Sequence, residues 1–168
     1  METRTIRPAT DADWAQIWPI WHAIVAAGET YTWDPATGEA QARHLWMLPA
    51  PAEVWVAEQH AAGTGVIEGT AILKPNQPGL GAHIANAGFM VAAGAAGKGI
   101  GRALAERIVE RARELGYHGM QFNAVVSTNT RAVGLWKSLG FEIVGTVPEA
   151  FRHARLGYVD LHIMYRQL

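Results

Sequence analysis

Gly97, Gly99 and Gly101 alternate with other residues in AAGAAGKGIGRAL, positions 92–104, and a charged run with apolar residues at helical spacing follows at once. Ile100, Leu104, Ile108, Ala112 and Leu115 share one face of that helix, while Arg102, Glu106, Arg107, Glu110 and Arg111 lie largely elsewhere, so the helix starts near Gly99. Its first turn has backbone N–H groups without intrahelical partners at the positive end of the helix dipole. Glycines there let an anion approach the backbone, and the chemistry expected is the grip of a phosphate group. A purely structural glycine turn before a helix is the plain alternative. Two nucleotide motifs fail: a P-loop needs Ser or Thr after Lys98 and glycine at Ala92, and a dinucleotide fingerprint beginning at Gly97 puts Arg102 where a small residue must pack.

The elements that must position this loop follow from pattern. TRTIRP (3–8) reads as a strand ended by Pro8, with Thr10 or Asp11 capping a helix to about Ala27 that Pro19 bends. GETYTWDPATG (28–38) is an aromatic loop, and EAQARHLWML (39–48) a second helix. EVWVAEQ (53–59) and GVIEGTAILK (65–74) form a hairpin turning around Ala62 to Thr64; AHIANAGFMV (82–91) is a strand with a bulge expected at Gly88. GMQFNAVV (119–126) and FEIVGTV (141–147) are strands flanking a helix, NTRAVGLWKSLG (129–140), closed by Gly140. PEAFRHARLG is a polar connection to a last strand, 157–168.

The whole, 1–168, is a single domain of the α/β (α+β) class: a mixed, mostly antiparallel sheet with flanking helices. At 168 residues it buries about two thirds of the surface of its unfolded chain. Hydrophobic residues make up 49% and charged residues 17%, which excludes disorder. A net charge of −1 gives no field for a nucleic-acid backbone or an anionic membrane, and no run reaches the roughly 18 apolar residues of a span. No cysteine is present, which removes disulfides, thiolate metal sites and a cysteine nucleophile. His22, His44, His60, His118, His153 and His162 lack metal-ligand spacing, so no metal is expected. A soluble, cytoplasmic protein is expected, and its tryptophan-rich faces suit a homodimer.

GFMVAAGAAGKGIGRAL, with NTRAVGLWKSLGF some thirty residues on, resembles the GCN5-related N-acetyltransferases (GNAT), and the order of elements matches that fold along nearly the whole chain. The resemblance implies acetyl-CoA as co-substrate, with its pyrophosphate at the helix N-terminus on Gly97, Lys98, Gly99, Ile100, Gly101 and Arg102. It implies that Phe89, Met90 and Val91 pair by backbone with pantetheine, and that Asn129 and the helix after it flank the CoA arm. The family's loop usually begins with Gln or Arg, where this chain has Ala96; its frequent tyrosine acid falls on Trp136, whose indole N–H cannot deliver a proton. A thiolate leaving group, with a pKa of about 8.5 for the cysteine analogue, needs little protonation. NAGFMV, QFN and the helix tryptophan are similar to fungal acetyltransferases, and related bacterial sequences, that act on proline analogues such as azetidine-2-carboxylate. That likeness puts Asn86 and Asn123 in the acceptor cleft, holding a small amino acid and the developing oxyanion.

Acetyl transfer from a thioester to an amine needs a neutral amine, an oxyanion donor and alignment, with no nucleophilic residue. For the base, His83 and Glu29 are candidates beside water. Tyr31, Trp33, Arg152, Arg155 and Tyr158 are candidates to meet a substrate's ring or carboxylate. The function expected is acetylation of a small amino or imino acid by direct attack in a ternary complex. Acetylation of a protein or peptide terminus and a non-catalytic acetyl-CoA sensor are the alternatives.

Overall fold

A computed structural model describes residues 3–61 and 63–168. Seven strands, β1 (Thr3–Pro8), β2 (Glu53–Ala61), β3 (Thr64–Pro75), β4 (Ile84–Val91), β5 (Gly119–Val126), β6 (Glu142–His153) and β7 (Gly157–Gln167), form one sheet in the order β1-β2-β3-β4-β5-β7-β6. Four helices flank it: α1 (Trp14–Ala27), α2 (Glu39–Trp46), α3 (Ile100–Glu114) and α4 (Thr130–Ser138). The expected class and mostly antiparallel sheet are what is found.

Alternation along the strands divides the core in two. Ala71, Leu73, Ala85 and Ala87 face α3, whose Ile100, Leu104, Ile108 and Ala112 are buried against them. Val54, Val56, Ile72 and Met90 face the other way, onto Ile17, Trp21 and Val25 of α1 and Ala42 and Trp46 of α2. Gly69 lets α3 approach closely, since a Cβ there would stand 3.0 Å from both Ile100 and Leu104.

The parallel pair β4–β5 holds for two rungs, Ile84↔Gly119 and Ala85↔Met120, while every other pairing is antiparallel. Beyond Ala85 the two strands part. That opening is the feature on which the site depends.

Local chemistry explains where elements start and stop. Thr10 is the N-terminal cap: its N–H and hydroxyl both donate to Asp13, at 2.7 and 3.1 Å, before α1, which runs unbroken through Pro19 to a left-handed Gly28. Gly63, at φ 84°, lies in the β2–β3 turn as expected, while Thr64 already opens β3 opposite Ala61; Ala62 lies outside the described residues. Among the described residues no helix is long and apolar enough to cross a membrane.

Two expectations need correction. Gly88 is not a bulge, because the β3–β4 ladder passes evenly through Ile72↔Gly88; a side chain there would meet the Tyr31 hydroxyl at 3.0 Å and Trp46 at 3.4 Å, so close approach is what calls for glycine. The residues after Val147 are not a polar connection, because β6 continues to His153 and only 154–156 turn the chain. A register shift between Val147 and Phe151 absorbs Pro148, and Glu149, at φ 52°, donates its N–H to Asp160 at 2.9 Å.

Candidate active site

A cavity of about 460 Å³ fills the opening between β4 and β5 and passes from one face of the sheet to the other. On the α1–α2 side it is lined by Tyr31, Trp33, Trp46, Lys74, Asn86 and Asn123; towards α4 the walls are Phe89, Val91, Phe122, Asn129, Ala132 and Trp136.

Asn86 stands where pairing stops. Its Nδ2 donates 2.9 Å to the carbonyl of Gln121, adding a side-chain rung after the last backbone rung of β4–β5. Because a carbonyl can only accept, this fixes the amide's orientation and leaves Oδ1 as a free acceptor. Asn123 accepts from Gln121 Nε2 at 3.0 Å and donates to Asn76 Oδ1 at 2.7 Å, which keeps one amide N–H in reserve.

The aromatic loop is held by stacking. Trp33 lies 5.2 Å from Trp21 and 5.1 Å from Tyr31 between ring centroids, and Trp46 closes on it edge-on at 6.2 Å. The Tyr31 hydroxyl accepts the N–H of Phe89 at 2.9 Å and donates to its carbonyl at 3.0 Å. Desolvation raises the pKa of this phenol, and the Phe89 N–H only partly offsets it, so Tyr31 stays protonated and is no base. The Phe89 backbone, expected to pair with pantetheine, is therefore engaged by Tyr31. By alternation the backbone groups of Ala87 and Val91 point into the same opening.

At the other end, Gly97 and Gly99 take φ values of 80° and 77°, and α3 begins directly after them. The first helical N–H to close within α3 is that of Ala103, on Gly99, leaving those of Ile100, Gly101 and Arg102 without intrahelical partners. A Cβ on Gly99 would meet nothing within 4 Å, so the loop is open on its outer side. Lys98 leans on buried Glu68 at 3.4 Å, which also pairs with Arg4 at 2.9 Å; Arg102 donates to Ser138 at 2.7 Å. Arg131, in the first turn of α4, brings Nη2 within 3.7 Å of where a Gly97 Cβ would stand. The sequence reading passed over this cation, although its place two residues after Asn129 was the available signal.

The remaining expected residues are placed as follows. Asn129 caps α4, its Oδ1 accepting from Ala132 N–H at 3.3 Å, and still borders the cavity. Trp136 is buried against Phe122 at 4.7 Å and Phe89 at 5.0 Å as a wall. Met90 packs between the sheet and α1–α2 and also borders the cavity. His83 and Glu29 are not brought to the cavity: His83 precedes the paired end of β4 with its ring 5.5 Å from His118, and Glu29 turns outward to Arg155 at 2.7 Å. Among the described residues, the cavity lining contains no His, Asp or Glu.

A parted strand pair, a glycine cradle with unpartnered amides and a through-sheet cavity fit a coenzyme diphosphate and its arm. The acetyltransferase (GNAT) family model matches residues 15–141. The chain belongs to the GNAT family. Members of the family use acetyl-CoA. The chain is 51% identical to a GCN5-related N-acetyltransferase from Kribbella flavida of solved structure, with a TM-score of 0.92 and 98% of each chain covered. It is 31% identical over 170 residues to the L-amino acid N-acyltransferase MnaT of Escherichia coli, covering 98% of this chain and 94% of that one. It is 40% identical over 96 residues to the N-acetyltransferase aca1 of Schizosaccharomyces pombe, covering 56% of this chain and 46% of that protein, so this GNAT match spans less than half of the S. pombe relative.

Proposed function

We propose that this chain is an acetyl-CoA-dependent N-acetyltransferase for small free amino or imino acids, of the kind typified by proline analogues, acting by direct attack of the amine. The observation that carries the reading is the cavity at the β4–β5 opening, which runs from Val91, the strand end that leads into the glycine loop, and the α4 wall to an aromatic pocket holding Asn86 and Asn123. Its volume falls within the about 300–1,000 Å³ of small-molecule sites. The E. coli relative, an L-amino acid N-acyltransferase, supports the same acceptor class.

Acetyl-CoA supplies, when bound, an acyl thioester activated toward amines. The N–H groups of the Gly97–Arg102 segment hold the diphosphate, with Arg131 adding charge beside Gly97. Ala87 and Val91 present backbone groups to the pantetheine arm, and Trp136 and Phe122 keep the channel dry. The free Oδ1 of Asn86 accepts an N–H of the incoming amine and so orients its lone pair, while the spare N–H of Asn123 is available to the developing oxyanion. Water takes the proton, since among the described residues no carboxylate or imidazole lines the cavity.

Initial velocities of CoA release, with both substrates varied, should give intersecting double-reciprocal lines; parallel lines would contradict direct attack. Asn86→Ala and Asn123→Ala should each lower kcat/KM by about 30-fold, the loss of one well-placed hydrogen bond of ~2 kcal/mol. Unchanged activity in both would remove them from the mechanism.

A further inference from the structure

Most cations of this molecule are already spoken for. Arg4 and Lys98 meet Glu68, Arg7 meets Asp13 and Glu58, Arg111 meets Glu53, and Arg155 meets Glu29, each within 3.5 Å. Lys74 is different. It is half-buried near the end of β3, it borders the cavity, and among the described residues it makes no ion pair and no side-chain hydrogen bond. It is also the cavity lining's one charged side chain among those residues. A half-buried ammonium that borders the cavity without a partner of its own offers a contact to an anion supplied from outside the chain.

The register says which part of a ligand that anion belongs to. Lys74 lies opposite Asn86 in the β3–β4 ladder, and directly opposed residues carry their side chains on the same face with Cβ atoms about 5 Å apart. In an α-amino or imino acid the carboxylate and the amine are separated by one carbon. A carboxylate on Lys74 therefore sets the amine beside the free Oδ1 of Asn86, at the mouth of the β4–β5 opening.

We infer that Lys74 is the counter-ion of the acceptor's carboxylate and the residue that selects free amino acids over other amines. The inference rests on the amino-acid reading above and adds a specificity determinant to it. A peptide N-terminus, whose first carboxylate is an amide, leaves Lys74 unpaired. A simple amine does the same and adds a second positive charge in its ammonium form.

The test compares Lys74→Met, Lys74→Arg and the unaltered protein on the best free-acid acceptor, its methyl ester and its amide. In Lys74→Met, kcat/KM for the acid should fall about 10- to 100-fold, as for loss of a charge-assisted contact, with ester and amide unchanged or improved. Lys74→Arg should hold the acid-to-ester ratio within a few-fold. Calorimetric binding of the N-acetylated acid should weaken in Lys74→Met by the same factor as the rate. Retained ester turnover establishes that the variant is folded. Equal losses on acid and ester, or an unchanged ratio, overturn the role of Lys74 alone. Failure of the unaltered protein to acetylate any free acid while acetylating other amines overturns the amino-acid reading and this inference together.

Discussion

Tyr31 repairs a defect that the site creates. Once β4 leaves β5, the N–H and C=O of Phe89 have no strand to pair with, and the surrounding wall is apolar; one phenol satisfies both groups at 2.9 and 3.0 Å. Gly88 next to it has no side chain to block the hydroxyl. Tyr31→Phe keeps the ring stacked on Trp33 and strands two backbone groups, so urea unfolding should show a loss of about 1–3 kcal/mol. The sequence marked Tyr31 for a substrate ring because an aromatic in a turn-rich loop suggests contact; a bond to a backbone 58 residues away leaves no local pattern. For the same reason Lys74 and Arg131 went unread, while Asn86, Asn123 and the glycines stood out as breaks in apolar or helical runs.

At the scale of elements, the entry to α1 is secured electrostatically. Asp13 accepts from Thr10 and receives the Arg7 guanidinium on both oxygens at 2.8 and 2.9 Å, and hydrogen bonding from Arg7 brings its pKa down to about 2. A carboxyl whose folded pKa lies below its unfolded one adds stability that is complete above the unfolded value and vanishes as pH falls toward the folded one. Asp13→Asn should therefore lower stability near neutral pH by roughly 2 kcal/mol and flatten the decline between about pH 4 and pH 2, read from urea midpoints across that range. Helix boundaries of this kind were legible, since a cap and an apolar stripe are local: Thr10, Gly28 and the start of α3 stand where the residues put them. The second half of β6 was not. Its register shift resets the alternation that identifies a strand, and Pro148 imitates a strand end.

For the whole molecule, the decisive feature is topological: a parallel pair of two rungs flanked by antiparallel ladders opens a passage through the sheet, walled by Ala132 and Trp136 of α4 towards one face and by Tyr31, Trp33 and Trp46 towards the other. Sequence order alone foretold the loop and the strands other than the second half of β6, but not the depth of the opening, because the length of the β4–β5 ladder depends on partners distant in sequence. On the proposed reading the acceptor is small and enters the passage whole. The most direct measurement is a competition: the protein, acetyl-CoA and an equimolar mixture of free amino and imino acids with peptides that begin with the same residues, followed by mass spectrometry of the products. Acetyl groups should appear on free acids, with proline-like acids among them, and the peptides should remain unmodified. Acetylated peptides beside untouched free acids would contradict the account.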